Sequence, residues 1–138
     1  MRITKMNPHG RRDHANVRPQ RILIIEDNRD AADTLGEILR LLGHEVRIAY
    51  SGLAGLHVAS EWLPTVVVSD IGLPELDGFE VARELRGHKE TAGAKLIALT
   101  AYGTEEYRRL AAQAGFDEYI TKPADLGALE DILTLAPG

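Results

Sequence analysis

The chain is 138 residues long, 44% of them hydrophobic and 27% charged, which is the size and composition of one globular domain. It contains no cysteine, which excludes a disulfide framework, a zinc ribbon and a cysteine nucleophile. No apolar stretch reaches the roughly 18 to 20 residues of a membrane span, and the polar start lacks the apolar core of a signal peptide. We therefore expect a cytoplasmic protein with no membrane contact.

The net charge of −5 is divided unevenly along the chain. Residues 1–20 carry five basic side chains and one acidic one, whereas the rest of the chain carries 11 basic and 20 acidic ones. An acidic domain repels the phosphates of a nucleic acid, so we expect no nucleic-acid partner. The basic segment has no apolar periodicity, which predicts a disordered arm over residues 1–20 and a folded domain over residues 21–138.

From residue 21 onward, short apolar runs alternate with amphipathic segments. The runs at residues 22–25, 46–49, 66–68, 96–99 and 119–120 predict five strands. Apolar side chains at helical spacing follow the first, fourth and fifth runs, and weaker patterns at residues 53–61 and 79–85 predict two further helices. Continuously apolar strands separated by helices are typical of a parallel sheet covered on both faces. The pattern predicts a three-layer α/β domain.

Polar residues and glycines mark the ends of the predicted helices. Asp30, Thr104 and Asp125 stand where an N-cap is needed, because a short polar side chain can accept a hydrogen bond from the first helical turn. Gly43 and Gly115 follow the first and fourth helices, where glycine favours the left-handed backbone that often ends a helix.

The residues that end the predicted strands carry the side chains with the most chemistry. In an open parallel sheet, the functional crevice lies beyond the carboxyl ends of the strands. We therefore expect five such side chains to meet at one edge of the sheet: Glu26, Asp27, Asp70, Thr100 and Lys122.

Three carboxylates at one edge require compensation. Two unit charges about 4 Å apart repel by about 4 kcal/mol at an effective dielectric of about 20. Oxygen ligands favour a hard divalent ion such as Mg²⁺, with Mn²⁺ as an alternative, and a lysine and a hydroxyl suit phosphoryl oxygens. Asp70, at the end of the central run, is then the candidate nucleophile for an acyl phosphate. Each residue taken singly also has an ordinary structural role. Asp70 could form a turn, Glu26 and Asp27 could be a solvated charge pair, Thr100 could cap a helix and Lys122 could be a surface lysine.

Four ordered motifs resemble the receiver domain of two-component response regulators over about residues 21–135. They are Ile-Leu-Ile-Ile-Glu26-Asp27-Asn28, the segment from Val66 through Asp70 to Gly78, Leu-Ile-Ala-Leu-Thr100-Ala101, and Tyr119-Ile-Thr-Lys122-Pro123. The resemblance implies a flavodoxin-like, doubly wound (βα)5 fold with a five-stranded parallel sheet in the order 2-1-3-4-5.

The resemblance also implies a role for each motif residue. Asp70 would accept a phosphoryl group from a histidine kinase or a histidine phosphotransfer protein. Glu26, Asp27, Asp70 and the backbone carbonyl of Gly72 would bind Mg²⁺. Thr100 and Lys122 would contact the phosphoryl group.

A second set of residues is implied to respond to phosphorylation or to control access. Tyr119 corresponds to the switch aromatic that reorients together with Thr100 and alters the surface of helix 4, strand 5 and helix 5. The Lys122–Pro123 peptide bond is expected to be cis, a conformation that only X-Pro bonds adopt at low cost. Ala101 is small enough to leave the acceptor accessible.

Two positions depart from the side chains expected near the phosphoryl group. Gly72, two residues after Asp70, has no side chain, and Tyr102, two residues after Thr100, is bulky. We expect Tyr102 to shield the acyl phosphate partly from water while Gly72 opens the opposite side.

Several functions share this sequence pattern. Only three residues follow the last predicted helix, so we expect a single-domain regulator that docks onto another protein through the face of helix 4, strand 5 and helix 5. A phosphate sink, a receiver from a hybrid kinase and a homodimer through the same face remain open.

A phosphorylation-independent interaction module is the alternative from another class. A hydrolase acting on small substrates would need an acidic residue where Gly72 stands, so no enzymatic activity beyond self-catalysed phosphotransfer and dephosphorylation is expected.

Overall fold

Five strands alternate with five helices in residues 18–135, the part of the chain that the computed structural model describes. Most of the predicted basic arm, residues 1–17, lies outside the described residues. The elements, in chain order, are β1 (Arg21–Ile25), α1 (Arg29–Leu41), β2 (Glu45–Ala49), α2 (Gly52–Trp62), β3 (Val66–Asp70), α3 (Gly78–Gly87), β4 (Lys95–Thr100), α4 (Glu105–Ala114), β5 (Glu118–Thr121) and α5 (Leu126–Leu135).

The strands form one parallel sheet in the order β2-β1-β3-β4-β5, which confirms the predicted fold class and strand order. The central strand β3 pairs with β1 on one side and β4 on the other, and all five of its residues are buried. Because the strands are parallel, the carboxyl ends of β1, β3, β4 and β5 lie at the same edge of the sheet.

Alternate residues of the strands feed two separate cores, as expected when successive side chains point to opposite faces of a sheet. One core packs Leu23, Val67 and Leu96 under α2, α3 and α4. The other packs Ile24, Val68 and residues of the neighbouring strands under α1 and α5. These two cores confirm the three-layer arrangement.

The helix starts agree with the sequence-based prediction at two of three positions. Thr104 caps α4 by accepting the Tyr107 N–H at 3.2 Å, and Asp125 accepts an N–H from the first turn of α5 at 3.1 Å. The prediction of Asp30 as the cap of α1 is wrong. Asn28 is the N-cap, because its side chain accepts the Ala31 N–H at 3.1 Å, and Asp30 is the second residue of the helix.

The helices of the described segment are short. The longest, α1, has 13 residues, which corresponds to a length of about 20 Å. Between residues 18 and 135 no helix has the combination of length and apolar character needed to cross a membrane.

The loop after β3 is packed tightly against the end of that strand. The Ile71 carbonyl accepts the N–H groups of Leu73 and Gly78, each at 2.9 Å. A Cβ atom added to Gly78 would lie 2.4 Å from the Asp70 carbonyl oxygen and 2.6 Å from the Ile71 Cα. Glycine is therefore required at this position for the start of α3 to reach the backbone of Asp70.

We predict that Gly78→Ala destabilises the protein by about 1 to 3 kcal/mol, because the added methyl group overlaps backbone atoms that cannot rotate away. Gly93→Ala is the matched control, since a Cβ atom at Gly93 meets no atom within 4 Å. Urea unfolding of both variants measures the difference. Equal stability of the two variants would contradict the packing described for Gly78.

Candidate functional site

Asp70 ends the central strand and is held from two sides. Its side chain accepts the Gly72 N–H at Oδ1 over 3.0 Å and the Lys122 ammonium at Oδ2 over 3.0 Å. The residue is only 8% exposed, and the neighbouring Ser69 hydroxyl donates to the Asp70 carbonyl at 3.0 Å. The carboxylate is therefore fixed in position at the edge of the sheet.

Glu26 and Asp27 follow β1 directly and join Asp70. The Glu26 backbone N–H donates to the Ala49 carbonyl at 3.1 Å, which continues the ladder between β1 and β2 by one residue. Glu26 is 3% exposed, whereas Asp27 faces solvent. One oxygen from each of the three carboxylates, Glu26, Asp27 and Asp70, lies within 4.8 Å of the others.

Lys122 supplies the positive charge of this cluster. Its Nζ lies 2.6 Å from Glu26 Oε1 and 3.0 Å from Asp70 Oδ2. Its backbone N–H donates to the Thr100 carbonyl at 2.7 Å, and the Lys122–Pro123 peptide bond is cis. One ammonium group thus bridges two buried carboxylates that come from different strands.

The pKa values of the bridged groups follow from their burial and their charges. Burial raises the pKa of Glu26, and the hydrogen bonds from Lys122 and from the Asn28 N–H oppose this rise without cancelling it. Burial also acts to lower the pKa of Lys122, but the hydrogen bonds to Glu26 and Asp70 outweigh it and hold that pKa above its usual value. The ammonium is therefore charged across the physiological pH range.

Thr100 lies on the strand between β3 and β5 and is connected to Tyr119. Thr100 is 1% exposed, and its Oγ1 accepts the Tyr102 N–H at 3.2 Å. The Tyr119 hydroxyl donates to the Tyr102 carbonyl. Burial raises the pKa of Tyr119, while the Arg108 charge and a hydrogen bond with Thr100 oppose the rise. Contacts between side chains and backbone therefore run from the site to α4, which carries Arg108.

The three residues expected to control access are exposed and follow the ends of the neighbouring strands β3 and β4. Gly72 and Ala101 are exposed and add no bulk. Tyr102 is 53% exposed, and its ring stacks on that of Tyr107 with a centroid distance of 4.9 Å and an interplanar angle of 19°. The ring is therefore packed on α4.

The structure brings together four of the five side chains that the strand ends predicted, those of Glu26, Asp27, Asp70 and Lys122. Thr100 ends the neighbouring strand β4, and its printed side-chain contact is with the Tyr102 N–H.

The structure also adds contacts that the sequence analysis missed. The pairing of Lys122 with Glu26, closer than its pairing with Asp70, carried no sequence signal. Asp77 and Glu80 form a capping box at the start of α3, and their spacing could have revealed it. The stacking of Tyr102 on Tyr107 was also missed, because a five-residue spacing across the start of a helix gives little indication of a contact.

The donor set defines what the cluster can bind. The three clustered carboxylates offer only oxygen ligands, which suit a hard divalent cation, and few protein ligands leave room for the water molecules that Mg²⁺ retains. A lysine ammonium beside them suits a phosphoryl oxygen. The arrangement fits the binding of a metal ion together with a phosphoryl group.

Comparison with known sequences supports one family. The family model of the response regulator receiver domain matches residues 22–134. An uncharacterised 14.6 kDa protein of Leptolyngbya boryana is 38% identical over 104 residues, which cover 75% of this chain and 79% of that protein. Other curated relatives are longer regulators, and the chain spans 44% of one and 47% of another.

Solved structures agree with this fold. The receiver domain of sensor histidine kinase PA1611 from Pseudomonas aeruginosa PAO1, described with a magnesium ion in its active site cleft, is 32% identical with a TM-score of 0.76, over 84% of this chain and 95% of that one. The Saccharomyces cerevisiae co-crystal of the phosphotransfer protein Ypd1 and the receiver domain of Ssk1 matches at 28% identity with a TM-score of 0.78, over 86% of this chain and 88% of that chain.

We predict that Lys122→Met lowers the free energy of unfolding near neutral pH by about 1 to 3 kcal/mol, because two buried carboxylates lose their shared cation. The loss should shrink as the pH falls from about 7 toward about 5. Without the ammonium, the pKa of Glu26 rises further, and a carboxyl group with a raised pKa in the folded state takes up protons that stabilise the fold.

Lys95→Met is the control for this prediction. Lys95 pairs with the half-exposed Glu118 over 3.6 Å at the opposite end of the sheet, and partly exposed pairs contribute about 1 kcal/mol or less. Urea unfolding at several pH values compares the variants. Equal losses for both variants, or a loss for Lys122→Met that does not change with pH, would contradict the bridging role of Lys122.

Proposed function

Because the chain belongs to the response regulator receiver domain family of two-component signalling, we propose that it accepts a phosphoryl group from a phosphohistidine onto Asp70. The observation that carries this proposal is the placement of the Asp70 carboxylate at the end of the central strand. One of its oxygens lies 3.0 Å from the Lys122 ammonium, and the side chain belongs to the three-carboxylate cluster. A nucleophile, a counter-charge and a candidate metal site thus share one edge of the sheet.

In the proposed reaction an oxygen of the Asp70 carboxylate attacks the phosphorus of the phosphohistidine. The new P–O bond forms as the P–N bond to the imidazole breaks, and the departing ring nitrogen keeps the electron pair of that bond. Lys122 is positioned to exchange part of its contact with Asp70 for a phosphoryl oxygen. Thr100 can donate its hydroxyl proton to another phosphoryl oxygen.

Glu26, Asp27, Asp70 and the backbone carbonyl of Gly72 are the residues that would hold Mg²⁺, or Mn²⁺ in its place. The clustered carboxylate oxygens fit such an ion, and the Pseudomonas receiver at 32% identity is described with magnesium in its cleft. When bound, the ion neutralises charge on the phosphoryl oxygens. Lys122 compensates Glu26 and Asp70 when the ion is absent.

The phosphoryl donor is a histidine kinase or a histidine phosphotransfer protein. A largely apolar groove of about 550 Å³ lies beside the site, between α1 and the β5–α5 loop, and Ala31, Ile38, Pro123 and Leu126 are among its lining residues. This groove offers a contact surface for the donor next to Asp70. The yeast receiver at 28% identity was crystallised with a histidine phosphotransfer protein, which supports a donor of this class.

The output of the domain is a change on the surface formed by α4, β5 and α5. Thr100, Tyr102 and Tyr119 are linked by hydrogen bonds, and Arg108 of α4 lies 4.8 Å from the Tyr119 ring centroid. A phosphoryl group that draws on the Thr100 hydroxyl would shift the balance between two arrangements of these residues. The altered surface would then dock onto a downstream protein.

We predict that incubation with acetyl phosphate and Mg²⁺ adds the mass of one phosphoryl group to the protein. The gain should be lost in Asp70→Asn and in the presence of EDTA, because the reaction needs the nucleophile and the metal. Asp131→Asn is the control, since Asp131 is an exposed carboxylate on α5. Intact-mass spectrometry reads out each sample.

Two outcomes would count against the proposal. A mass gain that persists in Asp70→Asn would show that another group accepts the phosphoryl group. No gain from acetyl phosphate or from a phosphorylated histidine phosphotransfer protein would place the chain among interaction modules that keep the fold without the chemistry.

A further inference from the structure

The ring of Tyr102 is the large side chain of the short β4–α4 loop, which also contains Ala101 and Gly103. It stacks on Tyr107 in the first turn of α4 with a centroid distance of 4.9 Å and an interplanar angle of 19°. Aromatic pairs at this distance are attractive beyond the area that they bury. The stack therefore gives the ring a preferred position on α4, even though the residue is half exposed.

A third ring extends the stack toward α3. Phe79 lies 6.0 Å from Tyr107 with an interplanar angle of 30°. Phe79 follows Gly78, where an added Cβ atom would overlap the carbonyl of Asp70. The three rings thus connect the loop after β4 with the helix that begins behind the phosphoacceptor.

The backbone of Tyr102 is held independently of its ring. Its N–H donates to Thr100 Oγ1 at 3.2 Å, and its carbonyl accepts the Tyr119 hydroxyl. These two bonds fix the backbone beside the site but leave the side-chain torsions of Tyr102 undetermined. The contact with Tyr107 therefore decides where the ring lies.

We propose that Tyr107 is a positioning residue that retains the Tyr102 ring on α4 and so leaves the mouth of the site, between Gly72 and Ala101, open to water. The Tyr102–Tyr107 stack then sets the lifetime of the phosphoryl group. This inference rests on the proposed function. It means that Tyr102 shields the acyl phosphate from water only when its ring is released from Tyr107.

The step concerned is hydrolysis of the acyl phosphate. A water oxygen attacks phosphorus, the bond between phosphorus and the Asp70 oxygen breaks, and the carboxylate departs with the electron pair. The water gives up a proton to solvent, and inorganic phosphate is released. A ring freed from Tyr107 can lie over the mouth of the site and restrict the approach of this water.

The test follows the loss of the phosphoryl group by intact mass after acetyl phosphate is removed. Tyr107→Leu should slow this loss by roughly two- to tenfold, the change that corresponds to the loss of one aromatic pair. Tyr107→Phe retains the stack and should keep the wild-type rate. In a Tyr102→Ala background, Tyr107→Leu should have no further effect. Unfolding midpoints of all variants check that each one is folded.

A second measurement does not depend on phosphorylation. In the unmodified protein, the ring protons of Tyr102 should show ring-current NMR shifts that are present in Tyr107→Phe and lost in Tyr107→Leu. Unchanged shifts in Tyr107→Leu would overturn the positioning role even if the protein is phosphorylated normally. Absence of phosphorylation in the wild type, with the shifts as expected, would instead locate the failure in the proposed function.

Two kinetic results would also overturn the inference. One is an unchanged rate of phosphoryl loss in Tyr107→Leu. The other is an equal slowing by Tyr107→Leu in the presence and absence of the Tyr102 ring, because Tyr107 would then act by a route that does not involve Tyr102.

Discussion

The mutual repulsion of carboxylates at one edge of the sheet is the constraint on which the site depends. The fold places Glu26 and Asp70 at the ends of adjacent strands, and both are almost fully buried. Two such charges in a partly desolvated setting repel unless a cation lies between them or one of them takes up a proton. Lys122 meets this requirement: it directly follows β5, which lies two strands away from β3, and its ammonium contacts both carboxylates.

This arrangement explains why the site suits a reaction that adds negative charge. In the proposed function, the ammonium that offsets Glu26 and Asp70 would also contact a phosphoryl oxygen, and the clustered carboxylates would hold a metal ion that shares in the charge compensation. The exposed Asp27 completes the cluster from the solvent side, where an ion can enter without disturbing the packed core. In the proposed function, the charge balance of one small cluster therefore governs metal binding and phosphoryl transfer.

The strand order was implied by the resemblance to receiver domains, whereas the convergence of the strand-end residues could be predicted from the apolar pattern itself. Apolar runs locate the strands, and parallel strands bring their carboxyl ends to one edge, so residues that follow those runs must meet. Side-chain choices within the site could not be predicted. Asn28 and Asp30 are equally good caps by residue type. Asn28 is the cap because its backbone is extended and donates to Glu26, and the helical backbone begins at the next residue. The stacking of Tyr102 on Tyr107 depends on side-chain torsions that the residue types do not specify.

A calorimetric titration with Mg²⁺ of the wild type, Asp27→Asn and Asp131→Asn measures whether the cluster of Glu26, Asp27 and Asp70 binds a metal ion. Asp27 is exposed, so its substitution removes a proposed metal ligand without leaving a buried group unpaired. We expect one ion per chain in the wild type, affinity weakened by about tenfold or more in Asp27→Asn, and unchanged affinity in Asp131→Asn. Equal affinity in all three proteins, or no saturable binding in the wild type, would contradict this expectation.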